Sequence, residues 1–183
     1  IRTTQDLITR NGIRAVRVDE IAQRLGISKR TLYEMFADKN DLISACLDDL
    51  ARRQRQRIAA SRRRRSGNPL QRTLRLANDY IDSLYTVDHS FLADIRRKVL
   101  FAEQYDEHRE FWRKELSLNL EECRGGGLLL SEIDTAALAE QLMSTLFELR
   151  LNRTTREELY LLCRTILRGA ATQQGIDLID RKP

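Results

Sequence analysis

The chain has 183 residues, of which 42% are hydrophobic and 32% charged, with a formal net charge of +5. That length supports one sizeable core or two small helical domains, and with only two prolines and eight glycines long helices are permitted almost throughout. No stretch approaches the roughly 18 consecutive apolar residues of a membrane span, and strand-like alternation is hard to find, so an all-α fold of about nine helices is expected.

The charge is segregated along the chain. Residues 1–50 carry eight basic and eight acidic side chains, residues 51–75 carry ten arginines and no acid, and residues 76–183 carry fourteen basic and nineteen acidic residues. The overall basicity therefore comes from one connecting segment and is not by itself an argument for nucleic-acid binding.

The chain opens on Ile1 without a methionine, so a few residues are expected to precede it, and a basic arm there would be able to reach DNA. Residues 2–10 form a first helix with Leu7 and Ile8 inward, closed by Asn11 and Gly12. Val18, Ile21, Ala22 and Leu25 recur at helical spacing on one face, and Gly26 ends that second helix. A third helix starts at once: Ser28 is placed to cap it, and Leu32, Tyr33, Met35 and Phe36 supply its apolar side. Two short helices joined by about three residues form a helix-turn-helix, whose second helix can lie in a DNA major groove. The exposed start of that helix reads Ser28, Lys29, Arg30, Thr31, donors and cations suited to phosphates and guanine edges. Ile21, Ala22, Leu25, Leu32 and Phe36 are read as core.

Gly12, Ile21-Ala22, Gly26-Ile27-Ser28, Thr31-Leu32-Tyr33, Phe36, Lys39 and Leu42 together resemble the signature of the tetracycline-repressor (TetR) family of bacterial transcriptional regulators. The resemblance directly covers the first quarter of the chain. Two positions depart from the pattern. Arg17 stands near the second helix's start, where a small hydroxyl residue is usual, and Arg30 where glycine is common. Arg17 forfeits a side-chain cap of about 1 kcal/mol and offers a phosphate contact instead. The resemblance implies DNA binding through Arg17, Ser28, Lys29, Arg30, Thr31, Tyr33 and Lys39. Lys29, Arg30 and Thr31 are the base-reading candidates; Tyr33, Lys39 and Arg17 are the phosphate candidates. By their residue types alone, Tyr33 is equally a packing residue and Lys39 an ordinary solvated helix start.

Asp38 is placed to cap a fourth helix, with Asp41 in its first turn and Leu42, Ile43, Cys46, Leu47 and Leu50 on its apolar face. The division expected is a three-helix helix-turn-helix DNA-binding domain over 1–48 and a helical effector-binding and dimerisation domain over 49–183. The fourth helix should run from Lys39 to about Ala60, which at 1.5 Å per residue carries its end roughly 30 Å from its start. Of the arginines at 52, 53, 55, 57 and 62–65, the last four are thus expected far from DNA. They are read as a solvated helix end before a Ser-Gly-Asn-Pro linker, with docking of an acidic partner or of the chain's own acidic second domain as the alternative.

Pro69 opens a helix bearing Leu70, Leu74, Ala77, Ile81, Leu84 and Tyr85. A further helix carries Phe91, Leu92, Ile95, Val99 and Leu100 and should end near Tyr105. The next is expected from about Asp106 to Cys123, with Phe111, Trp112, Leu116 and Leu120, broken by Gly125-Gly126-Gly127. Asp134 caps the first of two leucine-rich helices, expected to be the last. It carries Ala137, Leu138, Gln141, Leu142, Thr145, Leu146 and Leu149 on one face. A capping box at Thr155–Glu158 opens the other, which shows Leu159, Leu162, Cys163, Ile166, Leu167 and Ala170.

Such a pair can serve its own core alone. The resemblance implies pairing with a second subunit as a four-helix bundle, with Leu138, Leu142, Leu146, Leu159, Leu162 and Ile166 as interface candidates. It further implies a homodimeric repressor on a palindromic double-stranded operator, released by a small molecule held in the second domain. Tyr80, Leu84, Phe101, Trp112, Leu116 and Phe147 are the candidate lining, and their character implies a mostly apolar effector. Aromatic residues at helical spacing are equally core fillers. The alternative function is a DNA-binding or scaffold module controlled by a protein partner docking on the arginine strip.

Cys46, Cys123 and Cys163 lie far apart on apolar stripes and are read as buried thiols of a cytoplasmic protein. His89 and His108 have no neighbour at ligand spacing and are read as surface residues. No metal, cofactor, enzymatic activity or membrane association is expected.

Overall fold

The computed structural model describes residues 1–63, 67–97 and 101–180, apart from the side chains of Arg62 and Arg63. Expectations for the Arg62–65 side chains and for Val99 and Leu100 fall outside the described residues. Ten helices form among the described residues. They are α1 (Arg2–Asn11), α2 (Val18–Leu25), α3 (Lys29–Met35), α4 (Lys39–Arg63), α5 (Pro69–Tyr85), α6 (His89–Arg97), α7 (Ala102–Gly125), α8 (Thr135–Leu151), α9 (Arg156–Gly169) and α10 (Gln173–Asp180). The fold is all-α, as expected.

The ends of these helices follow from local chemistry. Gly26, at φ 65° and ψ 29°, closes α2. Its N–H donates to Gln23 O, while that of Ile27 donates to Ala22 O at 3.1 Å. This double bond satisfies carbonyls that the helix end would otherwise leave open, and the left-handed turn it needs suits glycine. Ser28 Oγ then accepts the Thr31 N–H at 3.0 Å and starts α3. At the head of α4, Asp38 Oδ1 accepts the Asp41 N–H at 2.9 Å and Asp41 returns the bond to the Ala37 N–H at 3.0 Å. Asp134 caps α8, and the Thr155–Glu158 capping box opens α9.

Three expectations need correction. Among the described residues α6 is followed from His89 to Arg97, and α7 begins at Ala102 rather than Asp106. The leucine-rich pair is not the end of the chain. A tenth helix follows, tied down when Arg164 donates to the Ile179 carbonyl and both Arg164 and Arg168 pair with Asp180. Finally, neither histidine is a fully exposed residue; both are half-buried.

The chain forms two compact units, and each is discontinuous in sequence. The first comprises Ile1–Ala59 and Thr86–His108, the second Ala60–Tyr85 and Arg109–Pro183. Helix α6 packs on α1 and so joins the helix-turn-helix in the first unit. In the first unit Leu7, Ile8, Ile13, Val16, Ile21, Leu32, Leu42, Ile43 and Cys46 are buried together with Phe91, Leu92 and Ile95. Each fully buried Leu or Ile contributes about 1.5–3 kcal/mol. In the second unit α5 and α8 both pack on α9, and α10 closes over α5 and α9. Its core holds Leu70, Ile81, Trp112, Leu116, Leu120, Leu142, Leu146, Leu159, Cys163 and Leu167. An antiparallel bridge between Leu129 and Ala171 pins the stretch after the glycines.

Candidate DNA-reading surface

The turn between α2 and α3 contains only Gly26, Ile27 and Ser28, so the two helices are held close. Ile21, Ala22 and Leu32 are buried beneath them. Leu25 is not: it is exposed, as are Tyr33 at 49% and Met35 at 57%, and Phe36 is half-buried. The core expectation for Leu25 and the inward apolar face drawn through Tyr33 and Met35 are therefore corrected. A seven-residue helix has too few turns to bury one full side, and Leu32 alone is buried in it.

Arg17, Ser28, Lys29, Arg30, Thr31 and Tyr33 are all exposed. Arg17 precedes α2 in extended conformation and makes no side-chain cap. Lys29 pairs with Asp19 in the first turn of α2, which brings the start of α3 beside α2 within two residues of Arg17. Arg30 Nε donates to Glu34 Oε1 at 3.1 Å one turn further along α3. The Thr31 hydroxyl lies 3.0 Å from Ser28 Oγ, so one of its bonds is already engaged at the cap. Exposed ion pairs contribute only about 0–1 kcal/mol, so a phosphate or guanine can take over Lys29 and Arg30 at small cost. The two acids also repel phosphates in general, which disfavours non-specific DNA.

Lys39 differs from the rest. It is half-buried, and its ammonium donates to the carbonyl of Ile13 at 3.0 Å and to that of Val16. It holds the turn between α1 and α2 rather than standing as an ordinary solvated lysine at a helix start. On the other side of that turn, the Arg14 N–H donates to Asp94 Oδ2 of α6 at 2.8 Å. Asp94, Asp19 and Glu34 were missed from sequence. Only Asp94 left a trace there, as an acid set within the apolar run Phe91, Leu92, Ile95.

Residues 1–46 match the family described as bacterial regulatory proteins, tetR family. Over this segment the chain is similar to that family. Solved structures agree in fold. A putative transcriptional regulator from Saccharomonospora viridis, in complex with choline, superposes with a TM-score of 0.79 at 18% identity over 93% of this chain and 94% of that one. A TetR transcription regulator from Haloarcula marismortui gives 0.79 at 17% identity, over 93% and 95%. The fatty acid degradation regulator FadR from Bacillus halodurans gives 0.71 at 19%, over 91% and 90%. No curated protein matches the chain by sequence. The tetR family comprises transcriptional regulators rather than enzymes.

The second unit sorts its own candidates by burial. Of the interface candidates, Leu142, Leu146 and Leu159 are fully buried, while Leu138, Leu162 and Ile166 are half-buried. Leu161, passed over from sequence, is 67% exposed. Tyr80, Leu84, Trp112, Leu116 and Phe147 are buried in this unit. Tyr80 meets Trp112 edge to face with ring centroids 5.3 Å apart, and its hydroxyl donates to the Met143 carbonyl at 3.4 Å. Phe101, expected beside them, belongs to the first unit.

All three cysteines are buried free thiols, and burial raises their pKa, that of Cys163 to about 12, so none is a ready thiolate. Burial first, and Arg55 second, lower the pKa of His108 to about 4; it is neutral at physiological pH. Among the described residues no group of metal-ligating side chains assembles, and no helix is long and apolar enough to cross a membrane.

Proposed function

We propose that the chain acts as a homodimeric repressor that reads a palindromic operator with α3 and is released by a mostly apolar small molecule. The observation carrying the reading is the exposed, capped start of α3, where Lys29, Arg30 and Thr31 are held by bonds weak enough for DNA to replace. Lys29, Arg30 and Thr31 are assigned base edges, and Arg17, Ser28 and Tyr33 phosphates. Lys39 remains a phosphate candidate only if its ammonium can serve DNA together with the two carbonyls.

A two-fold dimer supplies two such helices about 34 Å apart, one turn of DNA. The surface proposed for pairing is the outer face of α8 and α9 bearing Leu138, Leu161, Leu162 and Ile166. For the effector, Tyr80, Leu84, Trp112, Leu116 and Phe147 supply mostly apolar walls, with polar handles at the Tyr80 hydroxyl and the Trp112 indole N–H. A neighbour in fold binds choline and another regulates fatty acid degradation, which fits a second unit adapted to small organic molecules. The setting proposed is the cytoplasm, where the DNA is. In the arginine strip Arg52 and Arg53 pair with Asp49 and Arg55 with Glu107, and protein docking there stays the alternative reading.

Selection of bound duplexes from a random pool at physiological salt tests the reading. An enriched inverted repeat is the expected result. Absence of any enriched sequence would reject sequence-specific reading.

A further inference from the structure

The turn joining α1 to α2 is gripped from two sides by charged groups on two other helices. From α6, Asp94 accepts the Arg14 main-chain N–H at 2.8 Å, and its other oxygen lies 3.8 Å from Arg14 Nε. Asp94 is buried, so this carboxylate has left water for a partner that is a backbone amide and a single, mostly exposed guanidinium. From the head of α4, the Lys39 ammonium takes the carbonyls of Ile13 and Val16, residues whose side chains are buried. Two further contacts lie beside the turn, one from the end of α1 to the residue before α6 and one from Gly12 to α6. The Asp88 N–H donates to Thr9 O at 2.6 Å, and Gly12, at φ 85°, comes so near that a Cβ there would lie 2.9 Å from Ser90 Cβ and 3.1 Å from Asp94 Oδ2. Only glycine combines that φ with that approach.

These bonds fix residues 12–17, and residue 17 is the entry to α2. Arg17 provides no side-chain cap, so the α2 start takes its position from this turn. Since α3 follows α2 after three residues, an error in the turn is carried to the reading helix. Charge-assisted bonds to main-chain groups are the strong and directional kind, which suits them to holding a register.

We propose that Lys39 and Asp94 are positioning residues for DNA reading, clamping the α1–α2 turn by its carbonyls and its amide, and that Lys39 acts through this turn and not as a phosphate ligand. This rests on the DNA-reading function proposed above. A positioning residue and a phosphate ligand differ in measurable ways. Removing a phosphate contact weakens all DNA alike and lowers the slope of log affinity against log salt by about 0.9. Losing the register of α3 weakens the cognate sequence and leaves non-specific binding and the slope as they were.

The test uses the whole chain as wild type, Lys39→Met, Asp94→Ala and Asp94→Asn, on a duplex enriched by the wild type and on a scrambled duplex, over a range of salt. Thermal melting confirms that each variant is folded at the assay temperature. Exchange of the Arg14 amide is followed in parallel, without DNA. The expected result is a loss of at least about fivefold on the enriched duplex for Lys39→Met and Asp94→Ala, the scale of one base contact. The scrambled duplex and the salt slope should not change. Asp94→Asn, whose carboxamide oxygen still accepts the amide, should keep most of the affinity, and Arg14 exchange should quicken in Asp94→Ala alone. A slope lowered by about one in Lys39→Met, equal weakening on both duplexes, or unaltered affinity in both variants overturns the proposal. If the wild type discriminates no duplex, the DNA-reading function has failed. The clamp is then decided by the Arg14 amide, and unaltered exchange in Asp94→Ala overturns it.

Discussion

Helices α3 and α9 both leave apolar side chains in water, and the company these keep separates two uses of the same exposure. In α3, Tyr33 and Met35 stand among Lys29, Arg30 and Thr31, and one residue alone, Leu32, is buried. Such a mixture of donors, cations and flat apolar surface suits a nucleic-acid groove, where most bonds go to phosphates and base edges. In α9, Leu159, Cys163 and Leu167 are buried, while Leu161, Leu162 and Ile166 form a second apolar row with little charge among them. That row suits another apolar surface. Amphipathic spacing marks which residues face a core; the neighbours of the residues left outside indicate what they face instead.

The sharpest break of this contrast is charge placed in either row of α9. Leu159→Asp buries an unpaired carboxylate and should abolish folding, a loss on the order of 4 kcal/mol or more. Leu162→Asp, three residues on and half-buried, should leave a folded chain whose sedimentation is that of a monomer. A stable dimer carrying Leu162→Asp would place the interface elsewhere.

Trp112→Ala is expected to lower the denaturant midpoint by an amount equal to about 3–5 kcal/mol, as a core side chain should. A loss below about 1 kcal/mol would mean that Trp112 lines a space rather than fills one. His108 tests burial at the edge of the first unit. Its pKa falls from an ordinary 6.5 to about 4 in the folded chain, so between those values the unfolded chain binds more protons. Its contribution is full above about pH 6.5 and lost as pH falls towards 4, on the order of 2 kcal/mol. His108→Asn should flatten thermal stability across that window relative to the parent, and an unchanged profile would contradict the burial. The smallest effect belongs to the cap of α3. Ser28→Ala should cost about 1 kcal/mol in unfolding free energy, together with a loss of operator affinity, since the helix it starts is only seven residues long.

The helix-turn-helix was legible because its determinants are local. Gly26 and Ser28 set the turn within three residues, and the signature around them fixes the register. Burial on α8 and α9 was not legible, since Leu142 and Leu138 are the same residue type one turn apart, and it is the packing of α8 on α9 and α5 that decides which is covered. Helix α10 went unread because its anchors, Arg164 and Arg168, lie on another helix. The role of Lys39 was hidden for a similar reason: its carbonyl partners are 26 and 23 residues away, and main-chain atoms leave no mark in a sequence. Asp94 acts across a longer gap still, 80 residues to Arg14.

The most direct test of α3 as the reading helix is the affinity of wild type and Thr31→Val for every single-base-pair variant of the enriched half-site. If α3 reads bases, Thr31→Val should flatten discrimination by about 1–3 kcal/mol at one base pair and leave the salt slope unchanged. Uniform weakening at every position, or an unaltered pattern, would contradict the placement of α3 against the base edges.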